Sequence, residues 1–133
     1  FQNYNLIKGI SVGENTMLPA YPTGRKYQEV KAKSTELLVK LKIGSKVDQK
    51  IERLSGGEQQ RTAIARALIN EPSINIADEP TAHLDTELSR EFLGIMEALS
   101  HEGKTILIAS HDPLVFESGI IDDVVEMRDG WII

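Results

Sequence analysis

Apolar residues recur with two different periods along this chain, and the change of period organises it. From Tyr27 to about Lys42, the residues Val30, Leu37, Leu38 and Leu41 share one helical face, while lysines and glutamates fill the other. Gly44 is a candidate stop for that helix. Ser55 to about Ile69 predicts a second helix, apolar at Ala63, Ile64, Ala67 and Leu68 and ended by Glu71-Pro72. The run SINIAD at 73–78 is short and nearly continuous in apolar residues, as expected of a buried strand, with Asn75 as its polar interruption. Asp85 caps a long helix through about His101, whose Leu88, Phe92, Ile95, Met96 and Leu99 stripe reads as core. Gly103 closes that helix, and TILIAS at 105–110 is a second buried strand. Asp112-Pro113 opens a short helix, and 124–133 reads as a hairpin around Asp129-Gly130.

Helix and strand alternate through the second half, which argues for an α/β fold with a parallel sheet. The first nineteen residues, FQNYNLIKGISVGENTMLP, hold no sustained period and read as loop followed by short elements. Tyr21-Pro22-Thr23-Gly24 is a turn cluster.

Composition narrows the function classes. The 133 residues are 41% apolar and 26% charged, typical of a globular chain. The absence of cysteine excludes disulfides, a thiol nucleophile and thiolate metal sites. Histidines stand only at 83, 101 and 111, without metal-ligand spacing. A formal net charge of −5 argues against a nucleic-acid platform, so no nucleic-acid partner is expected. The lysines at 31, 33, 40, 42, 46 and 50 read as a solvated helix face and the following loop. No apolar run reaches the roughly 20 residues that cross a bilayer.

Three stretches carry chemistry. In LSGGEQQR, residues 54–61, Ser55-Gly56-Gly57-Glu58 fits the S-x-x-E capping box, which needs nothing more than a helix start. Two glycines in the first turn lower helix propensity but bare the backbone N–H groups, so an anion site is the alternative reading. In IADEPTAHLD, the adjacent carboxylates Asp78 and Glu79 end a strand, where α/β proteins place ligands. Such oxygens suit Mg²⁺, and a second carboxylate there can polarise a water for attack on phosphate. A surface Asp-Glu turn is the plainer alternative. SHD at 110–112 follows the second strand and places His111 at the same sheet edge.

The order LSGGEQQR, strand and ADEPTAHLD, strand and ASHD resembles the ATPase subunit of ATP-binding-cassette (ABC) transporters. Its wording is similar to the lipoprotein-release and macrolide-export ATPases, and the resemblance covers essentially the whole chain. It implies an α/β, partial P-loop NTPase fold. A glutamine loop, helical subdomain and signature helix would occupy 1–70. The C-terminal half of the ATPase core, ending in the hairpin, would occupy 71–133. It also implies that ATP and Mg²⁺ are the cofactors. Gln2 would sense the γ-phosphate, Mg²⁺ and attacking water. Ser55, Gly56 and Gly57 would grip the γ-phosphate of ATP held by the opposite protomer, with Gln59 nearby. Asp78 would hold Mg²⁺, Glu79 would act as general base, and Asp85 would lie in a loop communicating across the dimer. His111 would contact the γ-phosphate. The implied partners are a second ATPase subunit, head to tail, and transmembrane permease subunits. The implied location is cytoplasmic, peripheral on the inner face of the cell membrane.

His83 and Asn75 depart from the usual pattern, and a histidine at 83 is similar to translation-associated relatives, which supply the alternative function. The phosphate loop GxxxxGK[ST] is missing from the sequence. Gly103-Lys104-Thr105 is a decoy, since it follows a helix and opens a strand, and the required glycine at 98 is Ala98. The chain begins at Phe1, in mid-motif by the resemblance, so it is expected to be a fragment that alone binds ATP poorly and does not hydrolyse it. The strand bearing the phosphate loop would pair beside 105–110, whose edge is then expected to favour self-association.

Overall fold

The computed structural model describes residues 4–82 and 84–133. Gln2 and His83, both singled out above, lie outside the described residues. In chain order the elements are helix α1 (Val12–Met17), a 3-10 turn (Leu18–Thr23), α2 (Tyr27–Lys40), two short 3-10 turns (Gly44–Lys46 and Ile51–Arg53) and α3 (Gly56–Leu68). Strand β1 (Ile74–Asp78), α4 (Thr86–His101), β2 (Thr105–Ala109), α5 (Pro113–Phe116) and the hairpin strands β3 (Met127–Arg128) and β4 (Trp131–Ile132) follow.

Periodicity misses α1 because only Val12 and Met17 are apolar in VGENTM. Its start is instead written in capping chemistry: Ser11 Oγ accepts from the Glu14 N–H, and Glu14 returns a bond to the Ser11 N–H at 2.7 Å. Asn15 is fully buried and fully used, since its amide and carbonyl clamp the backbone of Ile7 and its Nδ2 also reaches Ser11 O. That clamp brings the early loop onto α1, which packs against α2 and α3.

Helix α2 stops two residues earlier than its pattern suggests, and Gly44 is not the stop. Lys42 takes a left-handed φ of +59°, and the Ile43 N–H bonds back to Leu38 O, the Schellman arrangement that ends a helix. Gly44 serves close approach instead, because a Cβ there would come within 2.8 Å of Val39 Cγ2. Helix α4 ends as expected at Gly103, with φ of +82° and Lys104 N–H bonded to Leu99 O, so Gly103-Lys104-Thr105 is a helix stop.

Strands β1 and β2 pair in parallel, from Ile74 beside Thr105 to Asp78 beside Ala109. Ala77, Ile106 and Ile108 pack toward the helices and join a core running from Val12 through Leu38, Ile69 and Phe92 to Val115. Both runs are expected from the sequence to form buried strands, and the structure buries them only in part. Side chains alternate across a strand, and only one face is covered: Ile76 is 77% exposed, with Ile74 and Leu107 beside it. The hairpin forms around Asp129-Gly130, both at positive φ as a type I′ turn requires, with its apolar side chains exposed.

Candidate functional site

Strand β1 delivers Asp78 and Glu79 to the carboxyl edge of the parallel pair. The Glu79 N–H donates to Ala109 O at 2.8 Å, so the strands stay joined one residue beyond β1. Glu79 then takes φ of +44°, in the left-handed region, and the chain leaves the sheet through Pro80 and Thr81. The Glu79 carboxylate lies against the exit of β2. His111 Nδ1 is 2.7 Å from Glu79 Oε1, and Ser110 Oγ donates to Oε2 at 3.3 Å. Both carboxylate oxygens are therefore held by two consecutive residues of the opposite strand end.

The His111 side chain is 86% exposed, against 25% for Glu79. Its hydrogen bond to Glu79 raises the imidazole pKa above the ordinary histidine value, and the charges of Glu79 and Asp112 act in the same direction. The carboxylate thus favours the protonated form of the imidazole. Asp78 is exposed, and among the described residues no hydrogen bond or ion pair engages its carboxylate. No cluster of three or more His, Cys, Asp or Glu side chains among the described residues forms a closed metal cage. The adjacent carboxylates Asp78 and Glu79 are the type of oxygen donor that Mg²⁺ takes, one or two at a time, with phosphate oxygens and water completing its shell.

At the start of α3 the capping box is present: Ser55 Oγ accepts from the Glu58 N–H, and the Ser55 N–H donates to Glu58 Oε2 at 2.9 Å. That backbone bond lowers the Glu58 pKa, chiefly by stabilising its carboxylate. The two glycines differ. A Cβ on Gly57 would come within 2.8 Å of Leu88 Cδ2, so contact with α4 gives glycine a packing reason there. A Cβ on Gly56 would meet nothing within 4 Å, and Gly56 is the glycine left open to a ligand. Gln59 turns its amide back to Leu54 O at 3.2 Å. Asp85 caps α4, its Oδ1 accepting from the Leu88 N–H at 2.9 Å.

The fold therefore brings Asp78, Glu79 and His111 to one edge, and holds Ser55, Gly56, Gly57 and Gln59 together at the mouth of α3. Sequence reasoning passed over the residues that join these groups. Gln60 is 6% exposed and donates its Nε2 to Pro80 O at 2.9 Å. Thr81 is 4% exposed, and its Oγ1 donates to Asp112 Oδ2 at 2.8 Å. Asp112 Oδ1 caps α5 at the Leu114 N–H, and the Asp112 N–H donates to Ser110 Oγ. A signal existed for Gln60, a polar residue in line with Gly57, Ile64 and Leu68 on the inward stripe of α3.

A family model described as ABC transporter matches residues 1–82. The chain is 43% identical, over all 133 of its residues, to a macrolide export ATP-binding/permease protein MacB from Hyphomonas neptunium, covering 20% of that protein. It is 41% identical to a MacB from Campylobacter jejuni, again over all of this chain and 20% of the relative. The chain thus spans about a fifth of the length of these relatives. Among solved structures it is similar to cbiO1 of the cbiONQ transporter complex from Clostridium perfringens, with TM-score 0.87 and 31% identity over 97% of this chain and 51% of that one. It is also similar to MJ0796, a bacterial ABC transporter cassette solved as a dimer, with TM-score 0.72 and 36% identity over 84% of this chain and 50% of that one.

Proposed function

The chain belongs to the ABC transporter family, and on that premise we propose that it forms part of an ATP-hydrolysing subunit that powers transmembrane transport. The observation that carries this reading is the Glu79–His111 contact of 2.7 Å at the carboxyl edge of a parallel sheet, beside the exposed Asp78. Glu79 acts as general base on the attacking water. His111 stands next to it, exposed and able to meet a phosphate oxygen. Asp78, with Gln2, holds Mg²⁺ directly or through water. Mg²⁺, when bound, neutralises charge on the phosphates. Ser55, Gly56 and Gly57 present a helix N-terminus to the γ-phosphate of a partner cassette's ATP, with Gln59 alongside, and Asp85 lies in the loop facing that partner.

The dimeric MJ0796 cassette supports a second ATPase subunit as partner, and the combined ATP-binding/permease relatives support a transmembrane permease. Among the described residues no helix is long and apolar enough to cross a membrane. Attachment at the inner face of the cell membrane would then run through the permease. The division near residue 70 belongs to the same proposal, with the signature helix on one side and the catalytic edge on the other. The transporter relatives favour this reading over the translation-associated alternative. The test is ATP turnover by the intact subunit that carries these residues. Glu79→Gln is expected to lower turnover by about a hundredfold or more, the usual worth of a general base. Turnover unchanged by that substitution refutes the reading. The 133 residues alone, with no GxxxxGK[ST], are expected to give none.

A further inference from the structure

The turn that carries Glu79 is gripped from two sides by buried polar side chains. On one side Gln60, in the first half of α3, donates to Pro80 O at 2.9 Å. On the other, Thr81 donates to Asp112 at 2.8 Å, and Asp112 is the residue after His111. A mostly buried amide that finds one carbonyl partner is costly to separate from it, because little water can reach it in exchange. Next along α3, Arg61 pairs with Glu91 of α4 and donates to Leu41 O at 3.2 Å, which fixes the helix against its neighbours.

We propose that Gln60 is a positioning residue for hydrolysis: its buried amide ties the backbone next to Glu79 to the helix whose N-terminus is the Ser55–Gly57 turn. Movement of that helix is then transmitted to the setting of Glu79 against His111 in the same chain. The link is short, running from Gln60 to Pro80 O, through the peptide to Glu79, and from its carboxylate to His111. Thr81 and Asp112 form the opposite anchor, so a pull on Pro80 tilts the turn instead of carrying it away. This inference rests on the proposed role of Glu79.

The first test needs no nucleotide. At one fixed pH, the imidazole nitrogen resonances of His111 are recorded for the wild-type chain and for Glu79→Gln, which removes the carboxylate. Gln60→Met removes the amide at similar volume, and Gln60→Asn keeps it one methylene short of Pro80. Both are expected to move the His111 signal toward its Glu79→Gln position while the signals of α1 and α2 stay in place. Thr81→Val is expected to do the same and Thr81→Ser to restore the wild-type signal. A His111 signal unmoved in both Gln60 variants overturns the inference.

The second test is kinetic, in the intact subunit. Gln60→Met is expected to lower kcat about tenfold or more, as misplacement of a catalytic group does, with KM for ATP unchanged. An unchanged kcat in a subunit that Glu79→Gln inactivates overturns the inference alone. Hydrolysis that survives Glu79→Gln overturns the proposed function, and the inference with it.

Discussion

Gly57 lies against Leu88, so close that a Cβ would stand 2.8 Å from the Leu88 Cδ2. Gly56, one residue earlier, faces open space. The pair separates two reasons for glycine that the sequence presents as one. Gly57→Ala has to push the Leu88 side chain aside, so it is expected to be about 1 kcal/mol less stable than Gly56→Ala, which gains the same helix propensity without that contact. Gly56→Ala is expected to be neutral or stabilising by up to about 1 kcal/mol, because alanine favours the helix more than glycine. Thermal unfolding of the two variants checks the contrast, and equal losses would contradict it.

Capping boxes start α1 and α3, and a lone aspartate starts α4. Ser11→Ala, Ser55→Ala and Asp85→Ala should each cost about 1 kcal/mol in denaturant unfolding. Ser55→Ala matters most for function, since it removes the cap and the proposed phosphate contact together.

Two buried polar atoms have no partner among the described residues, Ser34 Oγ in α2 and Asn75 Nδ2 in β1. Replacing an unsatisfied buried group by an apolar one removes its desolvation cost. Ser34→Ala and Asn75→Val should therefore each stabilise by up to about 1 kcal/mol, the second aided by the strand preference of valine. A loss of stability in chemical denaturation would show that these groups are satisfied in solution.

The raised pKa of His111 has a definite sign in stability. A group whose folded pKa exceeds its unfolded value stabilises fully at pH below the unfolded value, and that contribution disappears as pH rises through the folded one. The Glu79–His111 contact should thus strengthen the chain at mildly acidic pH and fade above the raised His111 pKa. Site-resolved NMR titration should place His111 above an unstructured histidine, and Glu79→Gln should bring it down. A His111 value at or below that of an unfolded peptide contradicts the contact.

Helices α2, α3 and α4, both parallel strands and the hairpin turn are legible in the sequence because each rests on local periodicity or capping. The edge that gathers Asp78, Glu79 and His111 is legible for the same reason, since two similar apolar runs end in Asp78-Glu79 and in Ser110-His111-Asp112. What stays hidden is set by contacts distant in sequence. Nothing near Lys42 announces that it, and not Gly44, takes the left-handed turn, nor that Gly44 must clear Val39. The inward polar pair Gln60 and Thr81 finds partners 20 and 31 residues away, where no local pattern reaches. The open side of the sheet is hidden too, because an apolar run records that a strand can be covered and not what covers it.

Glu79 has a backbone φ of +44°, a conformation in which a side chain costs on the order of 1–2 kcal/mol and glycine costs almost nothing. By local backbone energy alone the position belongs to glycine. The carboxylate is kept against that preference, so the chain gives up backbone stability at the residue proposed as its general base. Glu79→Gly would relieve that backbone strain but give up the bonds to Ser110 and His111, so the relief is offset, and the variant is expected to lose the proposed general base without a net gain in stability.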